Sequence, residues 1–161
     1  MANFDEAIPK TLAREGGARY TETPGDAGGA TRYGISKRAY PSLDIRNLTE
    51  QQATAIYQRD YWDPLCGNSI LSQAIAENLF DTAVNMGVSR AVKLAQVTLG
   101  EHPVDGCMSP TTLTAINRCV VETFLTDYTL AKVMRYVGLC NRNRSQDRFL
   151  LGWLNRALGA A

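Results

Sequence analysis

A short amphipathic segment that runs straight into a glycine-dense loop sets the limits on what this chain can fold into. From Arg14 to Ile35 the sequence reads REGGARYTETPGDAGGATRYGI and holds six of the 13 glycines. This stretch cannot continue a helix: Gly16-Gly17 is a stop signal, and Pro24-Gly25-Asp26 and Gly28-Gly29 are turn chemistry. Residues 19–23 and 30–35 flank those turns with strand-type side chains, which predicts a small twisted antiparallel hairpin or three-stranded sheet. Gly28, Gly29 and Gly34 supply positive φ and close backbone approach.

Upstream, Phe4, Ile8 and Leu12 recur at four-residue steps, with Ala7 and Thr11 beside them, which is a helical period. Ala2-Asn3 caps the start, and Asp5 and Glu6 suit the positive end of the helix dipole. The next step of the apolar row lands on Glu15, away from Lys10 and Arg14. A carboxylate on the core-facing stripe is either paired or pushed towards its neutral form, and a neutral acid is what general acid catalysis needs. The plainer alternative is a last-turn residue that bends out to water. A hairpin over these turns can carry Asp26 and Thr31 back towards Glu15. Glycoside hydrolysis needs an acid for the leaving oxygen and a second group on the opposite sugar face, and a threonine hydroxyl suits an attacking water. Asp26 also reads as a turn residue, and Thr31 as strand filler.

The motif E-G-G … D-x-G-G-x-T-x-x-G-I, from Glu15 to Ile35, resembles the N-acetylmuramidases of glycoside hydrolase family 108, lysozyme-superfamily enzymes found as phage endolysins and bacterial muramidases. The resemblance implies a peptidoglycan hydrolase that cleaves the β-1,4 bond between N-acetylmuramic acid and N-acetylglucosamine, with Glu15 as catalytic acid and no cofactor. It is similar also to the Glu–Asp–Thr trio of small phage lysozymes. Here ten residues separate Glu15 from Asp26 and four separate Asp26 from Thr31, so the roles of those two stay open. A lytic transglycosylase also works with one glutamate. A wall- or DNA-binding protein without turnover is a reading from another class.

Beyond the hairpin, residues 36–40 read as a short helix ended by Pro41. Thr49 with Gln52 forms a capping-box pattern for a helix running to Tyr61 or Trp62, with Ala53, Ile56, Tyr57 and Tyr61 on one face. The cluster Tyr61-Trp62-Asp63 suits sugar stacking or, for Trp62, a core under a loop. Residues 72–85 read as a central helix, apolar nearly all round. Asn78, Asp81 and Asn85 break that pattern at steps of three and four, either lining a sugar cleft or bonding inside the protein. The string from Phe80 to Gly87 also resembles the family. Tyr33, Tyr61, Asp81 and Asn85 are the candidate substrate contacts. Residues 89–99 form another helix. Val104 to Leu113 resembles an element of peptidoglycan-binding regions, although a well-formed helix start at Ser109-Pro110 explains it locally. Residues 123–144 and 149–154 predict a long helix and a short terminal one, and Gly152-Trp153 with the basic residue that follows is similar to the family's closing element. The expected fold is α+β, mainly helical and lysozyme-like. Residues 1–70 form a hairpin lobe carrying Glu15, and residues 71–161 form a helical lobe with a peptidoglycan-binding-like region.

Length and charge narrow the function classes. A chain of 161 residues fits one domain or two lobes sharing a cleft. The net charge of +1 makes no global case for nucleic acid. From Leu130 onwards six Lys or Arg face Asp147 alone, a local balance of +5 that reads as a solvated face or as attraction to an anionic surface such as outer membrane, wall polymer or DNA. His102 is the one histidine, which disfavours a catalytic triad or a His-rich metal site. The four cysteines lack metal spacing and read as reduced thiols, two or more of them buried. No signal-peptide pattern opens the sequence. The expectation is a monomer made in the cytoplasm that reaches the periplasmic wall after release, with holin assistance.

Overall fold

The computed structural model describes residues 1–22 and 29–159. Helix α1 spans Phe4–Arg14, and the Asn3 side chain accepts from the Asp5 amide at its start. Its apolar row buries Phe4, Ala7, Ile8 and Leu12, and it ends as expected at Gly16 and Gly17, both with positive φ. Strands β1 (Thr31–Arg32) and β2 (Ile35–Ser36) pair antiparallel, Thr31 opposite Ser36 and Arg32 opposite Ile35. The two-residue turn between them is Tyr33–Gly34, with φ of 53° and 73°. Positive φ at both central positions is what a type I′ hairpin turn demands. A bridge from Thr21 to Thr31 adds the third partner that the residue pattern left open.

No helix forms over residues 36–40. Ser36 closes the hairpin, and the five residues before Pro41 are too few to offset the cost of nucleation. Helix α2 (Glu50–Tyr57) carries the full Thr49–Gln52 capping box, and the chain then widens into a π-helical turn over Gln58–Trp62. That turn buries Trp62 completely between Phe4 and Phe80, each with ring centroids 5.5 Å from it. Gly67 lies flat on the indole, where any Cβ would overlap the ring.

Helix α3 (Gln73–Met86) is central, packed against α1, α4 (Val88–Thr98) and α6 (Val121–Arg142). Between α4 and α6 lie a loop and α5 (Pro110–Arg118), started by the Ser109 cap. The buried Gln96 ties this loop down: its amide donates to Asp105 Oδ1 at 2.8 Å and accepts from the Gly106 amide at 2.9 Å. This bonding accounts locally for the Val104–Leu113 motif. Helix α6 buries Phe124, Tyr128, Lys132, Tyr136 and Cys140 at four-residue steps. Helix α7 (Asp147–Leu158) folds back on α6 and is longer than the pattern of residues 149–154 suggested. Cys140 alone of the four free thiols is buried; Cys66 and Cys119 are half-buried and Cys107 is exposed, which corrects the expectation of two or more buried. Cys66 sits at a left-handed position (φ 52°) between two short 3-10 turns and is half-buried there. No described helix is long and apolar enough to cross a membrane.

Candidate active site

Glu15 occupies the C-cap of α1, its amide bonded to Thr11 O at 3.0 Å. The glycine stop immediately after it frees the chain to turn, so the side chain projects at the helix end. It is neither free in solvent nor buried in hydrocarbon: 21% of the side chain is accessible, and Oε1 accepts from Arg156 Nη2 at 2.9 Å. Of the two fates open to a carboxylate on that stripe, pairing is the one found.

The hairpin turn closes over the same side chain. A Cβ placed on Gly34 would stand 2.7 Å from Glu15 Cβ, 3.0 Å from its Oε2 and 2.6 Å from the Tyr57 hydroxyl. Glycine is therefore required at residue 34 both for backbone conformation and for space. The Tyr57 hydroxyl donates to Tyr33 O at 2.8 Å, which fixes the turn against α2. Burial first, and the negative charge of Glu15 next, push the Tyr57 phenol well above its ordinary pKa. Burial and the charges of Asp60 and Glu15 raise Tyr61 likewise. Both stay protonated phenols, and their rings pack in a tilted pair, centroids 5.7 Å apart, on the Glu15 side.

Behind Glu15, Arg156 is shared. Its Nε and Nη2 donate to the two oxygens of Asp81 at 3.2 and 3.0 Å, and Arg14 Nη1 reaches Asp81 Oδ1 at 3.1 Å. Burial pulls the Arg156 guanidinium down, but Asp81 and Glu15 outweigh it, and its pKa is raised. The arginine thus has a two-point hold on α3 and a one-point hold on α1.

The candidates from sequence fall into distinct groups. Tyr33 and Tyr61 come to the Glu15 side. Tyr33 is buried under the turn, with the Arg32 guanidinium 5.6 Å from its ring centre, whereas Tyr61 is half-buried. Thr31 stands in β1, its backbone paired with Thr21 by bonds of 2.8 and 2.9 Å. Asp26 lies outside the described residues. The polar row on α3 bonds inside the protein: Asn78 Oδ1 accepts from Lys132 Nζ at 2.7 Å, Asp81 holds Arg14 and Arg156, and Asn85 Oδ1 accepts from Tyr136 at 3.1 Å. Arg156 and Tyr57 are the participants that sequence reasoning did not single out. Among the described residues no cluster of His, Cys, Asp and Glu suits a metal ion.

Comparison with known proteins adds to this geometry. Residues 8–87 match the family model described as Glycosyl hydrolase 108, and residues 90–158 match one described as a Predicted Peptidoglycan domain. Among solved structures, that of Brucella abortus SagA is similar over 97% of this chain and 94% of its own, with 28% identity and a TM-score of 0.73. None of the curated proteins matches.

Proposed function

We propose, starting from a chain that belongs to glycosyl hydrolase family 108, that it is a peptidoglycan hydrolase of the muramidase type, cutting the β-1,4 bond between N-acetylmuramic acid and N-acetylglucosamine with Glu15 as general acid. One observation carries the reading. Glu15 stands at a helix end where Arg156 holds one oxygen, while Oε2 faces the hairpin turn and has no donor among the described residues. The free oxygen is the one suited to hand a proton to a glycosidic oxygen. Arg156 orients the carboxyl group, and its two-point bond to Asp81 keeps the guanidinium in place if the single bond to Glu15 opens. The buried Tyr57 holds the hairpin turn in place beside the acid, and the half-buried Tyr61 is the ring available to a sugar face. Asp26 stabilises developing positive charge or orients a water, and Thr31 assists, in keeping with the family motif. Of the four candidate substrate contacts, half-buried Tyr61 stays on the substrate side, whereas Tyr33 packs under the turn and Asp81 and Asn85 bond inside the protein and fasten α3 to α7 and α6. The match of residues 90–158 to a peptidoglycan domain supports the choice of substrate.

The test is Glu15→Gln. Turbidity clearing of purified peptidoglycan is expected to fall at least ~100-fold, the scale of a lost general acid, while the circular dichroism spectrum is kept. Retained clearing would sink the assignment. Mass spectrometry of the soluble products reads the bond and the reaction together. Reducing N-acetylmuramic acid ends support hydrolysis, anhydro sugars indicate a lytic transglycosylase, and reducing N-acetylglucosamine ends overturn the choice of bond.

A further inference from the structure

Helices α1, α3, α6 and α7 surround a cavity of about 540 Å³ behind the Arg156–Glu15 pair. This is within the size range of small-molecule sites. Its described lining includes four cationic side chains, Lys10, Arg14, Lys132 and Arg156, against two carboxylates, Glu77 and Asp81. The pairing within it is uneven. Lys10 donates to both Glu77 oxygens at 2.8 and 2.7 Å, and the two arginines converge on Asp81. Lys132 has no carboxylate partner among the described residues. Its ammonium gives one bond, to the neutral Asn78 Oδ1 at 2.7 Å, and lies 5.4 Å from the Tyr128 ring centre.

An ammonium has three donors, and Lys132 is only 4% exposed. A buried charge with no ion-paired partner is costly, and the charge of Asp81 offsets the burial of Lys132 only in part. Burial pushes the Lys132 pKa down to about 8, which still leaves it mainly charged at neutral pH. Ala7, Phe80, Leu125 and Ala157 give the cavity an apolar wall, with Thr11, Thr126 and Thr129 as neutral polar groups beside it. The side chains of Lys10 and Arg14 are 60% and 40% exposed, so the positive rim is open to solvent.

We propose that this cavity is a binding site for a small carboxylate ligand with an apolar body, the carboxylate meeting Lys132: a short peptide that presents its free C-terminal end. The choice of a peptide rests on the peptidoglycan reading; the anionic character of the ligand does not. One source is a peptide still attached to a glycan strand, the other a free peptide in solution. In either case the ligand sits between the elements that hold Arg14, Asp81 and Arg156, next to the support of the acid.

Calorimetric titration of the full chain at neutral pH and low salt tests the proposal with N-acetyl-D-alanyl-D-alanine, its C-terminal amide, and a disaccharide carrying the same peptide end. The acid is expected to bind, and the amide to bind at least ~10-fold more weakly, the effect of about 1.4 kcal/mol. Lys132→Met is expected to bring the same loss for the acid with its helical spectrum unchanged. Should that variant fail to fold, the acid-against-amide comparison on the unaltered chain decides. No binding of the acid, equal binding of acid and amide, or undiminished binding by a folded Lys132→Met protein overturns the proposal. If the acid binds as expected, tighter binding of the disaccharide form assigns the ligand to wall strands, and equal binding assigns it to free peptide; both support the site. The dipeptide has no glycosidic bond, so these heats are independent of whether Glu15 is the acid.

Discussion

Glu15 and Gly34 touch across the gap between a helix end and a hairpin turn, and each restricts the other. A methyl group at Gly34 meets both the Glu15 side chain and the Tyr57 hydroxyl, at a backbone φ that alanine adopts only under strain. Gly34→Ala is therefore expected to cost about 1–3 kcal/mol of stability and to lower wall clearing at least ~10-fold by displacing the carboxyl group; denaturant titration and turbidity assays read the two. Lys132 gives a prediction of a different kind. Its folded pKa of about 8 is below the ordinary lysine value, so between those two values the unfolded chain binds more protons. Stability should rise with pH across that window and be lost again as pH falls through about 8. The wild-type unfolding free energy minus that of Lys132→Met is expected to climb by about 3 kcal/mol from pH 7 to pH 10.5; a flat difference would contradict it. The place of Glu15 was legible in the sequence, since a four-residue apolar period and a double-glycine stop are local signals. Its partner was not, because Arg156 stands 141 residues away. The hint of a basic residue after Gly152-Trp153 had no address until α7 was folded against α1.

At the scale of elements, α7 is held to α1 and α3 by one guanidinium. Removing it with Arg156→Met leaves Asp81 with Arg14 alone and Glu15 without its partner, which is expected to destabilise the fold by roughly 3–5 kcal/mol. Arg156→Lys, with one point charge in place of a fork, should lose less stability than Met but still give up the two-point hold on Asp81; urea melts of the two variants order them. The polar row on α3 follows the same logic. Asn78, Asp81 and Asn85 were readable as a row because helical spacing aligns them. Whether they line a groove or bond inwards depends on which helices arrive opposite, and α6 and α7 arrive with Lys132, Tyr136 and Arg156. Helix starts at Asn3, Thr49 and Ser109 were legible because each cap is a side chain bonding two or three residues ahead. The π-helical turn at Gln58–Trp62 was not, since it serves the packing of Trp62 between Phe4 and Phe80, residues remote in sequence.

For the whole molecule, the two family-matched regions share one interior. Helix α3, from the first region, packs against α4 and α6 from the second, and Arg156 from the second holds Asp81 and Glu15 in the first. Interleaved packing of this sort favours one cooperative transition. The two tryptophans provide the probe: Trp62 lies in the core of the first region, and Trp153 stacks on Tyr136 at 5.1 Å in the second. Variants with a single tryptophan, Trp153→Phe and Trp62→Phe, are expected each to give a fluorescence midpoint coincident with loss of helical circular dichroism; separate midpoints would show two units. The basic surplus after Leu130 also looks different once folded. Lys132 and Arg156 face inwards, so two of its six positive charges belong to the interior and not to an outer surface.

The distance along the chain between Glu15 and Arg156 has a consequence in time. Polypeptides leave the ribosome amino end first, at roughly 5–20 residues per second, so the carboxylate is made on the order of ten seconds before the guanidinium that steadies it, 141 residues later. A product aborted before α7 carries the acid without its brace. The order of translation thus withholds the finished arrangement from every incomplete chain.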